Sequence, residues 1–327
     1  MAHEVESMAY FGETPWHRLG TKLENVATAE QAIAAAGLNW EVETRPVYIS
    51  NLNSDEKSRF ERIPDRMAVR RKTDGKVYQL VSEKYVPAQN KEAFAFFDSV
   101  VGSEDAKYHT AGSLRDGAVI WMLAQMNHGN GSIGIKGEEI QKYLILTNSH
   151  NGEFALQMYF TPIRVVCMNT LSASMNSKAT TFYSRHIGNI QGRVEIAKEI
   201  LGLTNQFFGK WEEQAKFLAE KTMKLEDMPE FLRNAFMIES NKPIEEIWKP
   251  TMLAMQRIPL LMEFGKGMDN QYIRGTRWAA YNALVEWVDY EKGNNRESTT
   301  AESRLYGAWF GSGADMKRRA WNWLLKN

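Results

Sequence analysis

The chain has 327 residues, 43% hydrophobic and 24% charged, which is enough apolar material for a substantial core and excludes a compositionally disordered protein. Forty basic side chains balance forty acidic ones, so no global field draws the whole molecule to nucleic acid or to an anionic membrane. A single cysteine, Cys167, excludes an intrachain disulfide framework and any multi-cysteine metal site, and no apolar run approaches the roughly 20 residues that span a bilayer.

Residues 1–190 read as an α/β domain and 191–327 as a helical domain. The opening MAHEVESMAYFGE is acidic and has no apolar signal core, so a cytoplasmic location is expected. Thr28 is placed to cap a helix over 29–36, with Gly37 placed to end it. TRPVYIS (44–50) is strand-like. MAVRR (67–71) and KVYQLVS (76–82) flank the turn KTDG and predict a hairpin. Asn90 is placed to cap a helix on which Phe94, Phe97 and Val101 recur at helical spacing. A second hairpin turns at Asp116-Gly117 and a third at Asn151-Gly152. Hairpins with one intervening helix predict an α+β fold. It would hold a hairpin-rich antiparallel or mixed sheet with packed helices, followed by a mostly helical C-terminal part.

In the second part, Val194, Ala197, Leu201, Thr204, Phe208, Trp211, Ala215 and Leu218 alternate in steps of three and four. Two readings fit: a long helix packed on its own domain, or a subunit or interdomain helix. Pro229 opens a further helix; others carry Trp278, Tyr281, Leu284, Val285 and Val288, and Ala320, Trp321, Trp323 and Leu324.

Catalytic motifs are missing. There is no GxxxxGK[ST], no G-x-S-x-G elbow and no kinase set. GNGSIG (129–134) follows no βαβ unit and reads as a mobile hairpin loop. The six histidines form no i, i+2 or i, i+4 pair, so no metal clamp is spelled locally, and no metal or cofactor is expected. Cys167 lies among apolar residues, where a thiol is usually inert.

Charge is segregated along the chain. Between Glu153 and Glu195 there is no carboxylate, while Arg164, Lys178, Arg185 and Arg193 stand among hydroxyl and amide side chains and the aromatics Tyr159, Phe182 and Tyr183. A carboxylate beside a polyanion costs energy, cations and polar groups bind phosphate, and rings stack on unpaired bases. A second basic patch covers 57–84 and includes Arg70, Arg71 and Lys72; the stretch 212–247 is acidic. The alternative is ordinary structure: charged hairpin edges that repel strand pairing, and rings in the sheet core.

The segments AHEVESMAYFGETPWHRLG, AGSLRDGAVIWMLA, YLILTNSHNGEFALQMYFTPIRVVCMNTL, SRHIGN and GTRWAAYNALVEWVDY resemble the phage/plasmid-like proteins of a domain family of unknown function. Arg18 departs from that family's pattern, in which Gly follows Trp-His. The resemblance implies an accessory protein of mobile elements and carries no settled activity. In texture the chain is also similar to phage single-strand annealing proteins, a likeness of fold style alone.

The expected function is therefore ATP-independent binding and annealing of single-stranded DNA in recombination. Phosphate contacts would come from Arg70, Arg71, Lys72, Arg164, Lys178, Arg185 and Arg193, and base stacking from Tyr159, Phe182 and Tyr183. The expected partners are single-stranded nucleic acid, further copies of the chain and a possible host protein, with no membrane. Two alternatives stand beside it: a counter-defence factor that binds a host protein through the acidic helices, and an enzyme assembled from Cys167, His150, His186 and Asp116.

Overall fold

The computed structural model describes residues 5–11, 21–23, 28–50, 60–101, 106–126, 135–153, 156–164, 169–170, 182–184, 206–293 and 306–327. The fold is α+β, with a large mixed sheet, a small antiparallel sheet and a helical C-terminal region. Strands β1 (Val5–Phe11), β2 (Thr21–Leu23), β6 (Ala106–Leu114), β7 (Val119–Met126), β8 (Ile140–Ser149), β9 (Leu156–Arg164) and β10 (Asn169–Thr170) form the large sheet in the order β10-β9-β8-β7-β6-β1-β2. Strand β11 (Phe182–Ser184) also pairs with β9. Every ladder is antiparallel except β1–β2.

The predicted hairpins at Asp116-Gly117 and Asn151-Gly152 join β6 to β7 and β8 to β9. The first hairpin belongs to a separate sheet, in which β3 (Val42–Ser50), β4 (Phe60–Arg71) and β5 (Val77–Ser82) pair in that order. Helices α1 (Ala29–Ala35) and α2 (Asn90–Val101) flank this excursion and pack on each other and on the large sheet. Thr28 forms a capping box with Gln31, and Gly37 follows at φ +64°, as their residue types predict. Asn90 is used differently. Its side-chain amide donates to the carbonyls of Leu38 (3.0 Å) and Trp40 (3.4 Å), so a tertiary clamp takes the place of the expected cap.

Strand alternation gives β7 two buried faces. Ile120, Met122 and Ala124 face one core, while Val119, Trp121 and Leu123 face another. The first core is continuous from Ala9 through Phe94 and Phe160 to Trp211, Trp278 and Leu324, so it crosses residue 190 without a break. The second is covered in part by Tyr306, Trp309 and Phe310 of helix 306–309 and the residue after it.

The helical region comprises α3 (206–220), α4 (Met228–Phe236), α5 (Lys249–Phe264), α6 (Arg277–Glu286), α7 (306–309) and α8 (Ser312–Lys326). Pro229 stands in the first turn of α4, where its missing N–H costs nothing. On α3, Phe208, Trp211, Ala215 and Leu218 are buried in the chain's own core, and Trp211 stacks on Trp321 at 5.8 Å. The earlier seam positions Val194, Ala197, Leu201 and Thr204 lie outside the described residues. Every residue of α6 after Arg277 is buried, and the helix runs on into a π-helical turn, Trp287–Glu291. There Asp289 pairs with Lys317, both fully enclosed. Trp278 of α6 donates its indole N–H to Glu138 (3.0 Å), which fastens helices to sheet. Among the described residues no helix is long and apolar enough to cross a membrane.

Candidate nucleic-acid interface

The basic patch of 57–84 folds into the small sheet, and ladder register decides what each cation can reach. Val42, Val69, Arg71, Met67 and Val81 share the inner face; Glu43, Arg45, Arg66, Ala68, Arg70, Val77 and Leu80 share the outer one. Burial agrees: Val42, Val69, Arg71 and Val81 are buried, whereas Arg45, Arg66, Val77 and Leu80 are exposed.

Arg70 and Arg71, adjacent in sequence, therefore point to opposite sides. The Arg71 guanidinium lies 5.1 Å from the centre of the Trp40 ring and grips Asp74 through Nε (3.0 Å) and Nη2 (2.5 Å). That fork, with the amide N–H of Lys76, holds the Asp74 carboxyl well below the usual carboxylate range. Arg70 pairs with Glu43 (3.4 Å), which also accepts from Arg45 (2.9 Å). Lys72 is bound to Glu41, Arg62 to Glu83 and Lys76 to Asp116. The structure thus does not gather Arg70, Arg71 and Lys72 on one surface; alternation separates the first two, and each cation has a local carboxylate. Arg66 and Lys84 are exposed with no carboxylate partner among the described residues. Lys57 and Arg59 lie outside those residues.

The inner face docks on one end of the large sheet, where two hairpin turns converge. In the β6–β7 turn Arg115 and Asp116 both adopt φ +54°, a left-handed conformation unusual for such side chains, before Gly117 at +84°. The turn is held from two sides. The Tyr78 hydroxyl donates to the Asp116 carbonyl (3.2 Å), and the Arg115 guanidinium lies 3.9 Å from the centre of the Tyr306 ring while pairing with Glu153. Tyr306 donates its hydroxyl to the same Glu153 (2.6 Å); burial and that carboxylate push the phenol up to about 12. His150, 1% exposed, fills the joint. Its Nε2 meets Asn90 Oδ1 at 2.9 Å, Trp40 packs edge-on at 5.2 Å and Tyr78 stacks at 5.8 Å. Burial, aided by the Arg71 charge, lowers the imidazole to about 4, so it is neutral at pH 7.

His150 and Asp116, two members of the enzyme alternative, are thus committed to separate partners, Asn90 and Lys76. Cys167 and His186, the other two, lie outside the described residues. Sequence reasoning missed Arg115, Glu153 and Tyr306 as a set; the only local signal was the Asp116-Gly117 turn.

Of the remaining expected contacts, Tyr159 turns its ring to the second core. It packs edge-on against Phe310 at 6.4 Å, with its hydroxyl buried and without a partner among the described residues. Its ring is thus partly buried against that core. Arg164 closes β9 opposite Ile140 and Asn169, while Phe182 and Tyr183 pair with Met158 and Gln157. Lys178, Arg185 and Arg193 lie outside the described residues, as does GNGSIG. Among the described residues no cluster of three or more His, Cys, Asp or Glu is arranged to hold a metal ion.

Set beside known proteins, residues 77–309 match the model of a family described as a domain of unknown function, DUF932. The match starts at the edge strand of the small sheet and takes in both turns, His150 and α6. No curated protein and no solved structure matches the chain.

Proposed function

The chain belongs to the DUF932 family, and for this member we propose binding of single-stranded nucleic acid across the outer face of the small sheet. The observation that supports this reading is the make-up of that face. Arg45, Arg66 and Arg70 stand there against one carboxylate, Glu43, around Val77 and Leu80, which are 56% and 55% exposed. Tyr85, just beyond β5, adds an exposed ring. Arg66 and Arg70 stand four residues apart on β4, with Arg45 of β3 opposite Ala68 between them, so cations that can bind phosphates are spread along the face, and the apolar side chains between them suit unpaired bases. The same face, holding one strand with its bases accessible, would serve ATP-independent annealing in recombination, the role expected of an accessory protein of a phage or plasmid.

The test is fluorescence anisotropy with a labelled single-stranded oligonucleotide. Arg45→Ala with Arg66→Ala should weaken binding at least tenfold, while far-ultraviolet circular dichroism stays unchanged because both side chains are exposed. Unchanged affinity in that double variant refutes the assignment of this face. Absence of binding by the unaltered protein at low salt refutes the function.

A further inference from the structure

Three buried hydroxyl groups on one face of the large sheet have no hydrogen-bond partner among the described residues: those of Thr147, Tyr159 and Thr161. Thr147 and Thr161 are 0% and 4% exposed. Ladder register sets all three on the side of the second core. Thr147 of β8 stands beside Trp121 of β7, and Ile145, two residues back, stands beside Tyr159 of β9. Thr161 follows two residues further along β9, opposite Tyr143. A buried hydroxyl that gives up water without gaining a partner destabilises the fold, and valine or phenylalanine would fill the same space without that loss. Hydroxyls set together in a largely apolar, aromatic core point to a partner from outside the chain.

Over this part of the sheet lies a short piece of chain. Helix α7 and the residue after it set Trp309 edge-on to Trp121 at 6.2 Å and Phe310 edge-on to Tyr159 at 6.4 Å. Tyr306 is held at the rim by the Glu153 carboxylate, while Arg115 lies against its ring. The side chains of Arg115 and Glu153 are 38% and 33% exposed, so water can replace that contact with little loss. Gly311 joins α7 to α8. A Cβ at Gly313, the second residue of α8, would fall 2.7 Å from the Gly307 carbonyl oxygen, so glycine is what lets α7 fold back closely on α8. A one-turn segment with an aromatic underside, a solvent-accessible latch and a glycine joint has the parts of a lid.

The chemistry of floor and lid selects the ligand. Trp121, Tyr159, Trp309 and Phe310 offer aromatic rings, and each hydroxyl can donate or accept. The alternate positions that share this face, Val119 to Leu123, Tyr143 to Ser149 and Gln157 to Ile163, carry no charged side chain, so a charged group would enter unpaired. A flat, uncharged ring with donors and acceptors on its edge meets these demands. Arg115 and Glu153 at the rim suit a phosphate and a sugar hydroxyl left outside. We propose that the face of the large sheet beneath α7 binds a single nucleobase, and that α7 is the lid that lifts to admit it. The base lies among the rings and meets Thr147 and Tyr159 at its edge. It arrives on a free nucleotide or as an unpaired base of a strand. The site is on the large sheet and does not rest on the outer face of the small one.

Saturation-transfer NMR with the common ribonucleoside monophosphates, beside fluorescence anisotropy of a labelled single-stranded oligonucleotide, tests this on the full chain. At least one mononucleotide should show transfer to its base protons. Thr147→Val and Tyr159→Phe each remove an unpartnered hydroxyl and little else. Each should weaken that binding at least threefold and also raise the thermal midpoint, a combination that a purely structural hydroxyl does not give. Tyr306→Phe frees the lid from Glu153 and should raise the apparent affinity at least twofold, because a larger share of the chain is open. If the base arrives on a strand, the mononucleotides stay silent and the same two hydroxyl variants weaken the oligonucleotide instead. No binding of either probe overturns the inference, and so does binding indifferent to both hydroxyls or a thermal midpoint lowered in both variants. Loss of the mononucleotide signal in Arg45→Ala with Arg66→Ala overturns it too, since the base would then sit on the small sheet. Silent mononucleotides with an oligonucleotide that depends on Arg45 and Arg66 alone would sink the nucleobase site and leave the outer face standing.

Discussion

Replacing His150 with glutamine should flatten the acid limb of the stability curve. The imidazole is enclosed by Trp40, Tyr78 and Asn90, with the Arg71 cation on the same side, and burial lowers its pKa to about 4. In the unfolded chain a histidine titrates near 6.5. Because the folded value is the lower one, the stabilisation is complete above pH 6.5 and is lost progressively as pH falls toward 4, where the native state at last takes up the proton. Each pH unit in that window costs about 1.4 kcal/mol, so moving from pH 7.5 to 5.5 removes roughly 1.3 kcal/mol through His150 alone. His109, also lowered to about 4 by burial, adds a similar amount, for roughly 2.6 kcal/mol together. Glutamine keeps a polar group near Asn90 and has no proton to gain. The assay is urea unfolding at the two pH values, followed by tryptophan fluorescence. The variant should be less stable at pH 7.5, because ring packing is lost, yet should lose only about half as much on acidification. Equal losses in the two proteins would show that His150 is not held neutral between the sheets, and the docking of the small sheet as described would fall with it.

Other substitutions separate structure from binding. Arg71→Ala should cost about 1–3 kcal/mol in urea unfolding, since the guanidinium covers Trp40 inside the joint; Arg70→Ala should fall within about 0.5 kcal/mol and instead reduce oligonucleotide affinity. Lys317→Met alone leaves the Asp289 carboxylate buried beside the π-helical turn and should cost about 3–5 kcal/mol, much of it recovered by adding Asp289→Leu. Thermal unfolding of the single and double variants checks this, and a double variant no more stable than the single one would contradict the pairing.

What the sequence disclosed was local. Thr28 with Gln31, Gly37, the Asp-Gly and Asn-Gly turns and Pro229 state backbone preferences that packing did not override. The first hairpin was also legible, but its membership of a second sheet was not: β5 and β6 are separated by α2, and nothing in either strand says that their edges never meet. Asn90 shows how a tertiary demand displaces a local one. A cap contributes about 1 kcal/mol, whereas the same amide here satisfies two buried carbonyls and meets His150. The candidate site was read from counts of charge along the chain, and counts carry no information about faces. Arg70 and Arg71 look equivalent in a list; a period of two makes one solvent-facing and the other part of the core.

The same distinction sets how strongly salt should act on binding. Each phosphate neutralised contributes about −0.7 to the slope of log affinity against log salt for a single strand. Seven independent cations, as a count along the chain suggests, would give a slope near −5. The outer face of the small sheet offers Arg45, Arg66 and Arg70, of which Arg45 and Arg70 share Glu43. A phosphate that displaces this carboxylate exchanges one anion for another, so the face alone should give about −2 or shallower. A measured slope near −2 that Arg66→Ala reduces by about 0.7 assigns the phosphate contacts to the outer face. A slope near −5 that Arg66→Ala leaves untouched moves the contacts off the small sheet, toward the carboxylate-free stretch between Glu153 and Glu195, and refutes the reading of the sheet as the binding surface.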